Sequence, residues 1–178
     1  MIVLGLDPGT RTAGFGVVEV GRRAERALDY GTIEMPDDLD HSLRLMRIGE
    51  RVLELADRHK PDAIAVEVPF MGKNVQSMRK LARVEGVVMY VAMAREIPLA
   101  QYAPAEIKKA VTGKGRASKE QVEYMIRATL GVSVDKLDAS DALAVALAHG
   151  RRGIAGPPAA GASKDWAAFI KANPGRVR

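Results

Sequence analysis

Four carboxylates stand where carboxylates are least expected. Asp7 ends the apolar run Ile2-Val3-Leu4-Gly5-Leu6, and Glu67 ends a second run, Ala63-Ile64-Ala65-Val66. Asp138 and Asp141 precede a third apolar stretch, Ala142 to Ala148. A carboxylate at the end of a buried element loses hydration unless a hydrogen-bond network, a basic partner or a metal ion compensates it. Oxygen ligands with no nearby His or Cys suit Mg²⁺ or Mn²⁺. Two such ions held by shared carboxylates are a standard device for hydrolysing phosphodiesters. Each acid alone has an ordinary explanation. Asp-Pro-Gly is a common turn, and acids spaced i,i+3 at a helix start complement its dipole. Together they point to a site, because strand ends and a helix start can converge at one edge of a layered α/β domain.

The elements that would position these acids are legible from pattern. Ile2–Asp7 reads as a buried strand followed by the turn Pro8-Gly9-Thr10. Thr12–Val20 alternates glycine with larger residues and Arg26–Glu34 alternates less cleanly, so the first three strands predict an antiparallel meander. Residues 39–59 predict a helix with Leu39, Leu43, Met46, Leu53 and Ala56 on one face. Ala63–Glu67 is a strand. Residues 75–96 predict a long helix with two apolar stripes, Met78-Ala82-Met89-Met93 and Leu81-Val84-Val88-Val91. A helix apolar on two sides must bury both, so one stripe covers the sheet and the other needs a partner. Leu99–Tyr102 is a short strand, and Pro104 suits the first turn of a helix. Ser118 and Gln121 form a capping box for a helix through Leu130, and a last helix runs from about Lys136 to His149, where the histidine reads as an end cap. The order is βββαβαβαα.

A chain of 178 residues suits one compact domain, here residues 1–150, with an appendage over residues 151–178 rich in Gly, Pro and Ala. Within that appendage, residues 151–162 read as a flexible linker, and Trp166, Phe169 and Ile170 share one face of a possible short helix. The absence of cysteine excludes disulfides and thiolate zinc sites. No basic leader precedes Asp7, and the longest apolar run is too short to span a bilayer, so a cytoplasmic protein is expected.

Net charge is +5, but its distribution is sharper. Residues 71–119 hold ten Lys or Arg against three acids, whereas the rest of the chain holds 17 basic against 19 acidic. Concentrated positive charge is expected of a surface that binds a polyanion, although a solvated basic face has the same composition. Lys73, Arg79, Lys80, Lys108, Lys114, Arg116 and Lys119 are the candidate phosphate contacts. Lys114, Arg116 and Lys119 flank two glycines and a helix N-terminus, a favourable place for phosphate. Phe70 follows Pro69 beside Lys73, where a loop aromatic stacks on an unpaired base; the competing reading is a core plug.

Three stretches carry a family resemblance. Leu4-Gly5-Leu6-Asp7-Pro8-Gly9-Thr10, Ala65 to Asn74 (AVEVPFMGKN) and Asp138-Ala139-Ser140-Asp141-Ala142-Leu143-Ala144 together resemble the RuvC family of Holliday junction resolvases. The resemblance runs over about residues 1–150; the first motif occurs in other proteins, and the Glu-x-x-Phe-Met-x-Lys-Asn stretch is the specific one. It implies a ribonuclease H-like α/β fold with a mixed five-stranded sheet and helices on both faces. It also implies a homodimer that cuts two opposed strands of a four-way DNA junction with Mg²⁺ or Mn²⁺, two ions per site. The implied catalytic and metal-binding acids are Asp7, Glu67, Asp138 and Asp141; Phe70 matches the aromatic acting near the junction centre, and Lys108 and Lys119 match basic residues near the site. RuvA and RuvB are the implied branch-migration partners. At Leu81-Ala82-Arg83-Val84-Glu85-Gly86 the chain departs from the common Leu-Gly-Gln-Ala-Arg-Gly, which bears on local DNA contact or dimer packing.

Two other classes share some of these features. Actin-like ATPases and sugar kinases use the Asp-x-Gly-Thr turn, but they need two such lobes. A non-catalytic DNA-binding module would explain the basic segment but not four acids aimed at the same polyanion. A nuclease of the same fold acting on RNA is a nearer alternative.

Overall fold

A computed structural model describes residues 1–68 and 75–155. β1 (Ile2–Asp7), β2 (Thr12–Val20) and β3 (Glu25–Glu34) form an antiparallel meander. β4 (Ala63–Glu67) pairs parallel to β1, and β5 (Leu99–Tyr102) pairs parallel to β4, giving the sheet order β3-β2-β1-β4-β5. The two halves therefore meet at β1, and both β1 and β4 end on an acid at the same edge of the sheet.

Strand alternation divides the core into two layers. Leu4, Leu6, Phe15, Val17, Ile64 and Val66 face α1 (His41–His59) and α2 (Val75–Ala94). On the opposite face, Val3, Val18, Val20 and Ala65 meet α3 (Pro104–Thr112), α4 (Lys119–Leu130) and α5 (Leu137–Ala155). Helices thus cover both faces of a mixed sheet, as expected.

Local chemistry sets the ends of the helices. Asp40 caps α1 by accepting from the Ser42 amide at 2.5 Å, so the helix starts after the Leu39 expected from pattern. α2 stops at Ala94 rather than residue 96 because Glu96 turns left-handed at φ 53° and the Ile97 amide closes back to the Ala92 carbonyl at 2.9 Å. Three helices follow β5, one more than the order read from sequence. Gly113, at φ 78°, ends α3, and the Ser118–Gln121 capping box starts α4 afresh.

Two packing expectations need correction. α1 turns Ile48, Val52, Leu55 and Ala56 to the sheet, while Leu43 and Met46 are 46% and 55% exposed. Its apolar residues cover more than one face, and periodicity alone does not choose the arc that meets the core. α5 does not end at His149 but runs to Ala155, past the expected boundary at residue 150. The Arg151 guanidinium holds its last turns by bonding both carboxylate oxygens of Glu25 at 2.8 Å and the carbonyls of Ala110 and Val111. His149 is accordingly no end cap. Its Nδ1 lies 2.7 Å from the Tyr102 hydroxyl, and burial pulls its pKa below the usual value. The tail beyond residue 155, with Trp166, Phe169 and Ile170, lies outside the described residues. Among the described residues no helix is long and apolar enough to cross a membrane.

Candidate active site

Register alone brings the first two acids together. Gly5 and Leu6 of β1 pair with Ala65 and Val66 of β4, so Asp7 and Glu67 are the next residues along two neighbouring parallel strands. Asp7 also pairs with Gly14 of β2. Residues opposite each other in a sheet share a face, and Gly14 contacts α5; the Asp7 side chain therefore projects toward the start of that helix.

α5 begins at Leu137, which puts Asp138 and Asp141 in its opening turns. The helix lies unusually close to the sheet. A Cβ built on Gly5 would stand 2.2 Å from the carbonyl oxygen of Ala142, and one on Gly14 1.9 Å from that of Asp138. With a methyl group at either glycine the helix start could not sit beside the ends of β1 and β4.

The electrostatics record the convergence. The Asp7 carboxyl is pushed up to about 7, first by burial and then by the negative charge of Glu67, Asp141 and Asp138. Glu67 is also raised, by burial and by Asp141, with Lys119 and Lys108 pulling the other way. Lys119 comes from the first turn of α4, with its Nζ 3.3 Å from Asp141 Oδ2. Its own pKa is raised by Asp141, Asp7 and Glu67. The structure thus gathers all four acids, Lys119 and Lys108 at one edge of the sheet.

The remaining expected contacts fare differently. Lys114 and Arg116 are exposed in the segment between α3 and α4. Arg79 and Lys80 are exposed on α2, and among the described residues neither forms an ion pair with the four acids. Phe70 and Lys73 lie outside the described residues.

Two features escaped the sequence reading. The glycines of β1 and β2 are the seat of α5; their alternation was visible, but its use depends on which helix lands there. Arg44 is the other. Its guanidinium bonds the carbonyls of Leu39 at 2.9 Å, Thr10 at 3.3 Å and Asp37 at 2.7 Å, bracing the turn that follows Asp7. No signal in the linear pattern separates this arginine from its neighbours on α1.

The donor set fits a hard divalent cation. It is all oxygen, and a bound cation would offset both the burial and the mutual repulsion that raise Asp7. Among the described residues no three His, Asp or Glu side chains form a ready-made cage, so the carboxylates would have to draw in around an ion.

Comparison with known proteins gives a consistent answer. Residues 3–149 match the family model described as crossover junction endodeoxyribonuclease RuvC. The protein of that name from Christiangramia forsetii is 43% identical over 180 residues, covering 99% of this chain and 93% of the relative. The Thermus thermophilus RuvC structure superposes with a TM-score of 0.81 at 33% identity, covering 87% of this chain and 96% of that one. The Thermus thermophilus protein in complex with a Holliday junction substrate gives 0.79 at 36% identity, covering 84% and 92%. The architecture is ribonuclease H-like.

Proposed function

Since the chain belongs to the RuvC family of crossover junction endodeoxyribonucleases, we propose that it resolves four-way DNA junctions by hydrolysing one phosphodiester in each of two opposed strands. The observation that carries the reading is the convergence of Asp7 and Glu67 at neighbouring strand ends with Asp138 and Asp141 on the closely seated start of α5, beside Lys119. Burial first, and then the charge of the other three acids, pushes the Asp7 carboxyl up to about 7. Acids at that density repel a nucleic acid unless cations intervene.

Asp7, Glu67, Asp138 and Asp141 would hold one or two Mg²⁺ or Mn²⁺ ions. When bound, such ions supply Lewis-acid stabilisation of the phosphate and an activated water. The chain's own residues do the rest. The strand ends fix Asp7 and Glu67, the first turns of α5 bring Asp138 and Asp141 over them, and Arg44 braces the turn beside Asp7. Lys119 and Lys108 offset negative charge that develops on the scissile phosphate. Lys114, Arg116, Arg79 and Lys80 contribute long-range attraction for the duplex arms; by the family resemblance Phe70 is assigned to stacking on a base near the branch point and Lys73 to a phosphate contact.

A homodimer completes the proposal. The Leu81-Val84-Val88-Val91 stripe of α2 supplies three buried valines to the core, whereas Met89, Tyr90 and Met93 are 46%, 71% and 65% exposed. That outward stripe, with Met46 of α1, would bury against a second copy, setting two sites about a two-fold axis to match an approximately two-fold junction. Glu85 sits half-buried on this helix, with burial raising its pKa, so an acid here bears on dimer packing. A cytoplasmic location and association with a RuvA–RuvB branch-migration complex follow from the same reading.

The test is incubation with a synthetic four-way junction, a linear duplex and a DNA–RNA hybrid, with and without Mg²⁺ or Mn²⁺. Paired nicks in the junction that require the metal are expected. Junction binding without cleavage in either metal would instead make it a binding module, and preferential cutting of the hybrid would make it an RNA-directed nuclease.

A further inference from the structure

β2 carries a residue that touches none of the reacting groups yet sets where two of them stand. Gly14 pairs with Asp7 in the sheet, and the peptide joining Asp138 to Ala139 rests directly upon it. A Cβ there would lie 1.9 Å from the Asp138 carbonyl oxygen and 2.5 Å from its carbonyl carbon, both main-chain atoms that cannot rotate aside. Real Cβ atoms essentially never come within 3.0 Å, so with any side chain at residue 14 the strand and that turn must shift relative to each other to open this contact by at least the difference, 1.1 Å.

We propose that Gly14 is a positioning residue: by lacking a side chain it fixes the separation between Asp7 on the sheet and the Asp138–Asp141 pair on α5, and thereby the site's affinity for a divalent cation. This rests on the metal-dependent reading above. The mechanical reason is local. α5 is held farther along by Gly5 against Ala142 and by Gly16 against Leu143, and at its far end by Arg151 on Glu25. With those points anchored, a side chain at residue 14 tilts the opening turn away from the sheet instead of moving the whole helix. Asp138 and Asp141 are carried by that turn, while Asp7 and Glu67 remain on the strands. Metal-binding constellations tolerate displacements of only about 0.5 Å.

The contact at Gly14 differs from other glycine contacts of the same helix. At Gly150 a Cβ would meet the Val20 side chain at 2.3 Å, near the opposite end of α5 and far along the helix from both acids. Gly150→Ala therefore crowds the same helix without lifting its start, and serves as the control. Gly16→Ala is the milder member of the series, since its Cβ would lie 2.8 Å from the Leu143 amide.

The experiment is calorimetric titration of the metal-free full-length protein with MnCl₂, without DNA, at a temperature where circular dichroism shows each variant folded. Parent and Gly150→Ala should bind Mn²⁺ equally; Gly14→Ala should bind about tenfold or more weakly, in the range seen when groups that orient metal ligands are lost. Gly16→Ala should fall between them. Junction binding in EDTA should be the same for all four, because the DNA-facing lysines are untouched. Parental Mn²⁺ affinity in folded Gly14→Ala overturns the proposal. If Gly14→Ala does not fold, parental affinity in Gly16→Ala overturns it. A parent that binds no Mn²⁺ refutes the metal-dependent reading itself, which is a separate outcome.

Discussion

Lys119 Nζ lies 3.3 Å from Asp141 Oδ2, so a flexible cation from α4 stands against one of the two acids on α5. Nearly two-thirds of its side-chain surface is nevertheless exposed, leaving it free to turn toward an incoming phosphate. Lys119→Met should slow single-turnover cleavage by about 10²-fold at saturating metal, the usual effect of removing one group that stabilises transition-state charge. Lys119→Arg should recover part of the loss. A parental rate in Lys119→Met would remove this lysine from the mechanism.

The acids themselves give the sharpest contrast. Asp7→Asn, Glu67→Gln and Asp141→Asn each keep the shape of the side chain and remove a charge that would hold metal. Cleavage should fall below detection in each, while gel-shift affinity for a junction stays the same or rises as repulsion toward DNA is relieved. Parental cleavage in any one of the three would sink the shared-carboxylate site.

Stability without metal should run opposite to activity. Asp7 titrates at about 7 in the folded chain, against an ordinary 3.8. Between those values the folded protein keeps a proton that the unfolded chain has released, so stability falls as pH rises through this window. Above it, ionised Asp7 is a fixed destabilising charge. In EDTA at pH 8, Asp7→Asn should therefore be more stable than the parent by on the order of 2–4 kcal/mol, at 1.36 kcal/mol per unit. The gap should narrow as pH drops from 7 toward 4. Urea unfolding at several pH values measures it, and a gap independent of pH would contradict the burial and charge assigned to Asp7.

The outward stripe of α2 predicts how the chain associates. Met89→Glu with Met93→Glu places charge on an exposed apolar patch that contributes nothing to the core. The melting temperature of the isolated subunit should change little, sedimentation should shift from dimer to monomer at micromolar concentration, and coordinated cutting of both strands should be lost. A parent that sediments only as a monomer while cutting both strands would refute the dimer.

The sequence by itself located the elements and the acids. Ile2–Asp7, Thr12–Val20, Ala63–Glu67 and Leu99–Tyr102 occur as strands with the bounds read from pattern, and the Ser118–Gln121 box does cap α4. Strand alternation and cap chemistry are local, so the linear order of residues carries them. The acids were conspicuous for the same reason: each interrupts or borders an apolar run. What the tertiary structure decided was set by contacts across long separations. Which arc of α1 meets the sheet depends on the facing strands, so Met46 could not be told from Val52 by spacing. The helix that reads as ending at His149 continues because Glu25, 126 residues away, holds Arg151. The use of Gly14 likewise depends on a carbonyl of Asp138, which no spacing along β2 reveals. Pattern fixes an element and its apolar faces; only the packing of one element on another fixes how close they come, and here that distance brings the four carboxylates into one site.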